Sequence, residues 1–442
     1  MSIAVEEERK LRFTEVLDKS PWLRSHSVIF TVISANYLLD GIMFAVAPLL
    51  LYLVKPANIA AAIFAVNLIA EALGALFLGA LADRYGRRSL FATCLALEVA
   101  GLLILVVDYK STLALLAGTS LMTFGIGGEF GSAYAAIAEL IPARHRGKAL
   151  MLATNFWNIG SAIIAALSIW YSKITTSPVE QIRYLLLSAL GTAIVAGIAR
   201  LSLPESPRWL VARGRVAEAE EWVRRVTGYK GELDMSLPPA SAAVSLREAL
   251  SNYRFRLAVL ATITIAQYIT YDLGAYYLPY AKGFVFGEQA VSYVVLIANI
   301  GASVGAFLLL PLIDKSRIIS TLSSFAGGFA TAILVWLAHS MASKPLFYAF
   351  LLVNMIFSEW AWASLSVLQS ELFPTGVRAS VVGLLTSLQG FLGAAIVYGS
   401  ILLSANAMLA TIASLWAAGL AASIAWRLRG IESAAKSVES LV

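Results

Sequence analysis

Residues 139–146 read ELIPARHR, and 232 positions later residues 371–378 read ELFPTGVR. Glutamate, proline and arginine recur with the same internal spacing, as Glu139, Pro142 and Arg146 and again as Glu371, Pro374 and Arg378. Working outward from this pair, Asp40 matches Asp272 at the same offset, and Asp83 matches Asp314 at 231. Separated polar matches in one phase indicate two related halves repeated in parallel. The halves are 1–203 and 257–442, the second ending in a polar tail, with a polar segment at 204–256 between them.

What surrounds these motifs is apolar. Of 442 residues, 59% are hydrophobic and 14% charged, more apolar surface than one water-soluble core hides. Crossing a bilayer takes about 20 mainly apolar residues. Such runs stand at 27–54, 57–81, 89–107, 112–140, 148–171 and 182–203, and then at 257–281, 290–313, 318–340, 346–370, 379–403 and 407–427. The expected fold is an all-α membrane protein of twelve transmembrane helices in two six-helix halves. A membrane barrel would alternate apolar and polar residues over short segments, whereas these runs are apolar on every face.

The net charge of +6 comes from 33 Lys and Arg residues, which crowd one side. Only Lys55, Lys110, Lys173, Arg183, Lys282 and Lys344 fall in the opposite loops. By the positive-inside rule both termini and the central segment face the cytoplasm of a cell (plasma) membrane. The basic balance thus records topology, and no nucleic-acid partner is expected. The N-terminal stretch opens with Glu6, Glu7 and Glu8, stays polar to about Ser25, and lacks a cleavable leader's short core. Cys94 is the one cysteine, so neither a disulfide nor a cysteine metal site is expected within a chain.

In the central segment, Val216–Thr227 (VAEAEEWVRRVT) sets acids ahead of bases at helical spacing and predicts a short helix. The run LPPAS at 237–241 predicts a joint after it.

GALADRYGRR at 79–88 places glycines at a helix end, then an acid and three arginines in a tight turn. In this stretch the chain resembles the major facilitator superfamily, whose signature between spans two and three has this pattern. LIDKSR at 312–317 looks like its degraded second copy, and PESPRWL at 204–210 resembles the sugar porter and organic-ion (metabolite:proton symporter-like) branches. The resemblance implies a functional monomer that moves a small solute by alternating access. It also implies that charges at the cytoplasmic end latch the halves while the carrier faces outward. Carried over, that gate comprises Asp83, Arg84, Arg87, Arg88, Glu139, Arg146, Glu205, Arg208, Glu371 and Arg378. The alternative for each is a solvated topology signal.

Asp40, Glu71, Glu98, Glu129, Asp272 and Glu359 lie well inside spans one, two, three, four, seven and ten, with no Lys, Arg or His expected at that depth. A charge at mid-bilayer costs about 2.5–3.5 kcal/mol on insertion scales, so such acids usually face a cavity. Acids withdrawn from water can load and release protons, which makes proton symport the natural expectation. Asp40, in YLLDG, resembles the first-span acid of proton-coupled relatives, and Glu129, in GIGGEFG, resembles the fourth span of metabolite:proton symporters. Asp272 joins them as the repeat partner of Asp40. Glu71, Glu98 and Glu359 read rather as structural groups or cavity polarity.

Span seven reads QYITYDLGAYY at 267–277 and resembles the sugar porter pattern QQxxGxNxxxYY, with Gln267, Tyr276 and Tyr277 in register. Ala266 and Asp272 replace a glutamine and the asparagine, span four has no arginine near the first-span acid, and Ser366 replaces a tryptophan. These departures point away from a standard sugar site. Rings at Tyr37, Trp157, Tyr268, Tyr271, Trp360, Trp362 and Tyr398, set among carboxylates, suit an organic cation or a neutral sugar-like or polyol solute equally. An organic or aromatic acid ranks behind them, for want of a cavity cation. Asn155, Asn158, Gln267, Asn299, Asn354 and Gln389 supply hydrogen bonds either to the cavity or between helices.

An enzyme would need a nucleophile with its base, a metal cluster or a phosphate-cradling loop, and none is legible. No cofactor or metal is expected; the partners are a small-molecule substrate, protons and the lipid bilayer. An uncoupled facilitator and a proton-coupled exporter share every feature above.

Overall fold

The structure, a computed structural model, describes residues 10–236, 246–313, 315–373 and 375–434; the side chains at 79, 80, 82–84, 130, 131, 135, 138, 246, 370 and 375–380 are outside the description. Asp314, Pro374, the LPPAS run and Glu6 to Glu8 therefore lie outside the described residues, as do the side chains of Asp83, Arg84 and Arg378.

Lipid offers no hydrogen bonds, so each apolar run satisfies its own backbone by coiling. Twelve helices among the described residues are long and apolar enough to cross a membrane. The first six are Arg24–Val54, Ala57–Tyr85, Arg87–Val107, Thr112–Leu140, Ala143–Ile174 and Pro178–Arg200. The seventh runs Arg254–Asp272 and continues through a π turn, Leu273–Tyr277, and a 3-10 turn, Leu278–Tyr280. Val291–Leu309, Arg317–Ser340, Lys344–Glu371, Thr375–Leu402 and Ala405–Arg429 complete the set. They stand where the hydropathy put them. Several extend a few residues past the apolar window, because a helix goes on satisfying its backbone after its side chains reach polar surroundings.

With twelve crossings, the start of the first span and the end of the twelfth lie at one end of the bundle, here the terminal end. Each half packs through backbone contact at glycines. A Cβ on Gly74 of the second span would stand 2.0 Å from the Phe124 carbonyl oxygen, and one on Gly305 of the eighth would stand 2.7 Å from that of Ile356. Gly74 and Gly305 are 231 apart and Phe124 and Ile356 are 232 apart, so the repeat reaches down to one helix crossing. Gly41 and Gly160 let the first and fifth spans touch in the same way, with Cβ clearances of 2.1 Å to Trp157 and Leu38 carbonyls.

The central segment folds onto the first half. The helix expected at Val216–Thr227 is present and is braced by Glu220–Arg224 and Glu221–Arg225 pairs, both 2.7 Å. A short helix, Phe13–Lys19, lies in the stretch read as polar, and Leu11–Arg12 pairs in parallel with Leu233–Asp234. Phe13, Val16 and Leu17 are buried against Leu203, Val223, Val226 and Ile137. Their i, i+3, i+4 spacing is the amphipathic signal, too short to stand out beside runs five times its length.

At the opposite, far end the halves meet. The Tyr280 hydroxyl donates to the Pro48 carbonyl oxygen. Phe64 packs on Tyr277 and Tyr280 with ring centroids 4.5 and 5.0 Å apart.

Candidate functional site

A cavity lies between the halves at mid-bundle, lined by residues of both: Tyr37, Phe44, Tyr134, Thr154, Trp157 and Asn158 from the first, Gln267, Tyr268, Tyr271, Asp272, Glu359 and Trp362 from the second. Seven of these twelve are aromatic, two are carboxylic acids and none is basic. Phe44 roofs the cavity on the far side, 5.2 Å from the Trp157 ring and 5.1 Å from that of Tyr276.

A polar network crosses the cavity wall. Asn158 donates to Glu359 at 3.1 Å and to Asn155 at 3.2 Å. The Tyr271 hydroxyl lies 2.9 Å from Asn158 Oδ1 and 2.8 Å from Asn299 Oδ1, so its one proton serves either half. Tyr276 takes part from behind, 3.0 Å from Ser161 and 3.3 Å from Trp157 Nε1. Asn155 reaches Ser303 at 3.1 Å, and the Tyr268 hydroxyl donates to Glu71. Glu71 and Glu359 thus each bond a residue of the other half.

The other candidates sit elsewhere. Asn354 donates to the Gly328 carbonyl oxygen and Thr331, and Trp360 to the Gly305 carbonyl oxygen, so both join helices of the second half. Gln389 is buried away from the cavity lining, and Tyr398 is 43% exposed on the bundle surface. Period and polarity alone do not say which face of a membrane helix looks inward, hence the open alternatives in the sequence.

Asp40 is 1% exposed and lies behind the wall rather than on it. Its carboxyl comes together with those of Glu98 and Glu129, one oxygen from each lying within 4.8 Å of the others. Asn36 donates to Glu129 and, at 3.5 Å, to Asp40. The expectation of no deep cation is overturned here. Arg200, 7% exposed, holds Glu129 in a two-pronged pair at 2.8 and 3.0 Å and donates to the Phe91 carbonyl oxygen at 2.6 Å. Arg200 ends the sixth span, and helical side chains tilt back toward the helix N-terminus, so this arginine points into the membrane region rather than out of it. Glu98 is likewise more than scattered polarity: it is fully buried as a member of this group.

At the terminal end the gate residues form two related clusters. In the first half Arg87 meets Glu139 at 3.5 Å, and Glu205 accepts the backbone N–H groups of Arg87 and Arg88 at 2.9 and 3.2 Å, capping the third span. Gly86 makes room: it has φ of 95°, and a Cβ there would fall 2.3 Å from Glu205 Oε2. In the second half Arg317 meets Glu371 at 3.2 Å, and Glu432 caps the ninth span through the N–H groups of Arg317 and Ile318 at 2.9 and 3.3 Å. Glu139 and Glu371 are the repeat pair, whereas Arg317 and Glu432 escaped the sequence reading because the second motif is worn and its cap comes from the tail. Arg146 and Arg208 share Asp18 of the N-terminal helix, at 2.7 and 3.1 Å. Each of these pairs stays within the first half and the central segment folded onto it, or within the second half.

Residues 44–431 match the family model described as sugar (and other) transporter. The inner membrane metabolite transport protein YgcS of Escherichia coli K12 is 28% identical over 394 residues, 87% of this chain and 86% of that protein. The putative metabolite transport protein YdjK of the same strain is 26% identical over 448 residues, 96% of each. Among solved structures, the partially occluded inward-open xylose transporter XylE of E. coli superposes with a TM-score of 0.74 at 18% identity, over 93% of this chain and 99% of that one. Two six-helix halves about a central cavity and a family match over most of the length agree: the chain belongs to the sugar (and other) transporter family of the major facilitator superfamily, multi-pass membrane carriers of small molecules.

Proposed function

We propose that this carrier moves a small organic cation across the cell membrane by alternating access, in symport with protons, with its terminal end in the cytoplasm. The observation that carries the reading is the cavity wall: Asp272 and Glu359 among seven aromatic rings, with no basic side chain among the described lining residues. A desolvated ammonium group needs a carboxylate partner, and ring faces attract it further, by about 0.5–2 kcal/mol each. The same wall repels a carboxylate solute.

In this reading the halves rock about the cavity. The far-end seal of Tyr280, Pro48 and Phe64 is closed in this conformation, and Glu71–Tyr268 and Asn158–Glu359 are cross-half bonds that a bound solute rearranges. The gate clusters brace each half as a rigid body, and latching between halves belongs to the outward-facing step. Asp40 sits one layer behind Tyr37 and exchanges protons with the cavity. The basic residues gathered at the terminal end support the cytoplasmic orientation.

A neutral polyol is the second reading, favoured by one observation. Gln267 lines the cavity with a buried Oε1 that has no hydrogen-bond donor among the described residues, and a solute hydroxyl would supply it.

The test is uptake into liposomes by purified protein, with a panel of organic amines and polyols, with and without an imposed pH gradient. Accumulation of an amine that collapses with the gradient is expected. Asp40→Asn should abolish accumulation yet leave exchange of labelled for unlabelled solute. Accumulation by Asp40→Asn at the wild-type level would refute coupling at Asp40.

A further inference from the structure

We infer that the proton-carrying unit is a three-carboxyl group, Asp40, Glu98 and Glu129, countered by Arg200, and that it holds two protons in this conformation, one on Asp40 and one on Glu98. The inference rests on the proton-symport reading above and adds Glu98 as a coupling residue.

Charge comes first. Three carboxyls, one oxygen from each within 4.8 Å of the others and the residues 1, 0 and 1% exposed, face a single guanidinium. Fully ionised, the group would carry two uncompensated negative charges out of reach of water, and like charges so placed cannot all persist. Two protons bring it to neutrality.

The hydrogen-bond inventory points the same way independently. Asp40 Oδ1, both oxygens of Glu98, Glu129 Oε1 and Asn36 Oδ1 are buried without a hydrogen-bond donor among the described residues, although Asp40 and Glu98 stand within carboxyl-to-carboxyl reach of Glu129. Buried acceptors without donors are rare in folded proteins. Asn36 directs its amide hydrogens to Glu129 and Asp40, and Arg200 directs its own to Glu129 and Phe91. The missing donors are therefore acid protons. Glu129, gripped by Arg200 and Asn36, is the member left ionised, and it accepts from its two neutral neighbours.

Among the described residues, the other titratable groups facing the unit are Tyr37 on the first span, with Tyr134 of the fourth beside that ring, and Cys94 on the third. On the second span Glu71 turns away to Tyr268, and on the fifth Asn155 and Asn158 bond Ser303 and Glu359 of the second half. Arg200 is thus the only cation of the site among the described residues. In the cycle, the Asp40 O–H bond breaks and its proton passes to water in the opened cavity. The proton on Glu98 stays and shifts between Glu98 and Asp40, which spreads the new negative charge over the unit.

Infrared difference spectroscopy of the full-length protein in liposomes tests this, because protonated carboxyls have their own C=O stretching band. At neutral pH, Glu98→Gln should remove one such band and Asp40→Asn another, while Glu129→Gln should remove carboxylate absorption. Glu98→Gln keeps shape and donor, so its melting temperature at neutral pH should stay near that of the wild type. Its uptake should fall with rising pH over a single proton step where the wild type shows two. A Glu98→Gln spectrum that keeps every acid band, or bands displaced by sodium ions at fixed pH, overturns the inference. Loss of accumulation in Asp40→Asn together with an unchanged Glu98→Gln spectrum sinks this inference and leaves proton symport standing. Wild-type accumulation by Asp40→Asn sinks the parent reading.

Discussion

Glu359 is the residue on which solute identity turns, because it lines the cavity and answers to the other half through Asn158. Replacing it with glutamine keeps size and an acceptor for Asn158 but removes the charge. Glu359→Gln should weaken binding of an organic amine at least tenfold, about 1.4 kcal/mol, and leave a neutral polyol within about twofold. Titration calorimetry on purified protein with both solutes reads the difference. An equal loss for both would favour the polyol reading. At this scale the sequence was informative where chemistry is improbable: an acid in an apolar run announces itself, and Asp40, Glu129 and Asp272 were legible for that reason. Arg200 was not, since its position at a helix end hides the direction of its side chain. Asn354 and Trp360 were ambiguous because a polar group on a membrane helix serves a neighbouring helix as readily as a cavity.

The carboxylate caps on the third and ninth spans show what a helix end requires in this fold. Glu432 lies outside the membrane spans; burial would raise its pKa, but bonds from Ser316 and the N–H groups of Ala434, Arg317 and Ile318 hold it below the usual carboxylate value. A depressed pKa means the stabilisation is present above the unfolded value, about 4.3, and is lost as pH falls through the folded one. With solvent screening the cap is worth well under about 1 kcal/mol. Glu432→Gln should therefore melt roughly 1–2 °C below wild type at pH 7, and the gap should close as pH falls through the depressed folded value, below the usual carboxylate range. Thermal unfolding followed by tryptophan fluorescence across that pH range checks this. Number and order of spans were readable from hydropathy alone, whereas the Phe13–Lys19 helix was not, because three apolar residues in seven need a partner surface to mean anything. The π turn at Leu273–Tyr277 was equally invisible: it inserts one residue into the turn of the seventh span that carries Tyr276 and Tyr277, and no composition rule marks it.

Taken whole, the molecule is two copies of one bundle whose relation was written in the 232-residue offset, while the seal between them joins Pro48, Phe64 and Tyr280 from remote stretches. One hydrogen bond is worth about 1 kcal/mol, a factor of about five in a conformational equilibrium. Tyr280→Phe should shift the population toward forms open at the far end by about that factor. Spin labels at Asn58→Cys and Glu288→Cys, exposed sites on opposite halves at that end, should then show a larger fraction of long distances. An unchanged distance distribution would mean that the ring packing alone keeps the end shut. Such labelling is favoured by a feature of the natural chain: Cys94, its one thiol, is 0% exposed and walled in by Leu78 and Leu90. Thiol-reactive dyes will therefore decorate only the positions an experimenter chooses, and single-molecule fluorescence can follow the rocking of the halves without first stripping the protein of a native cysteine.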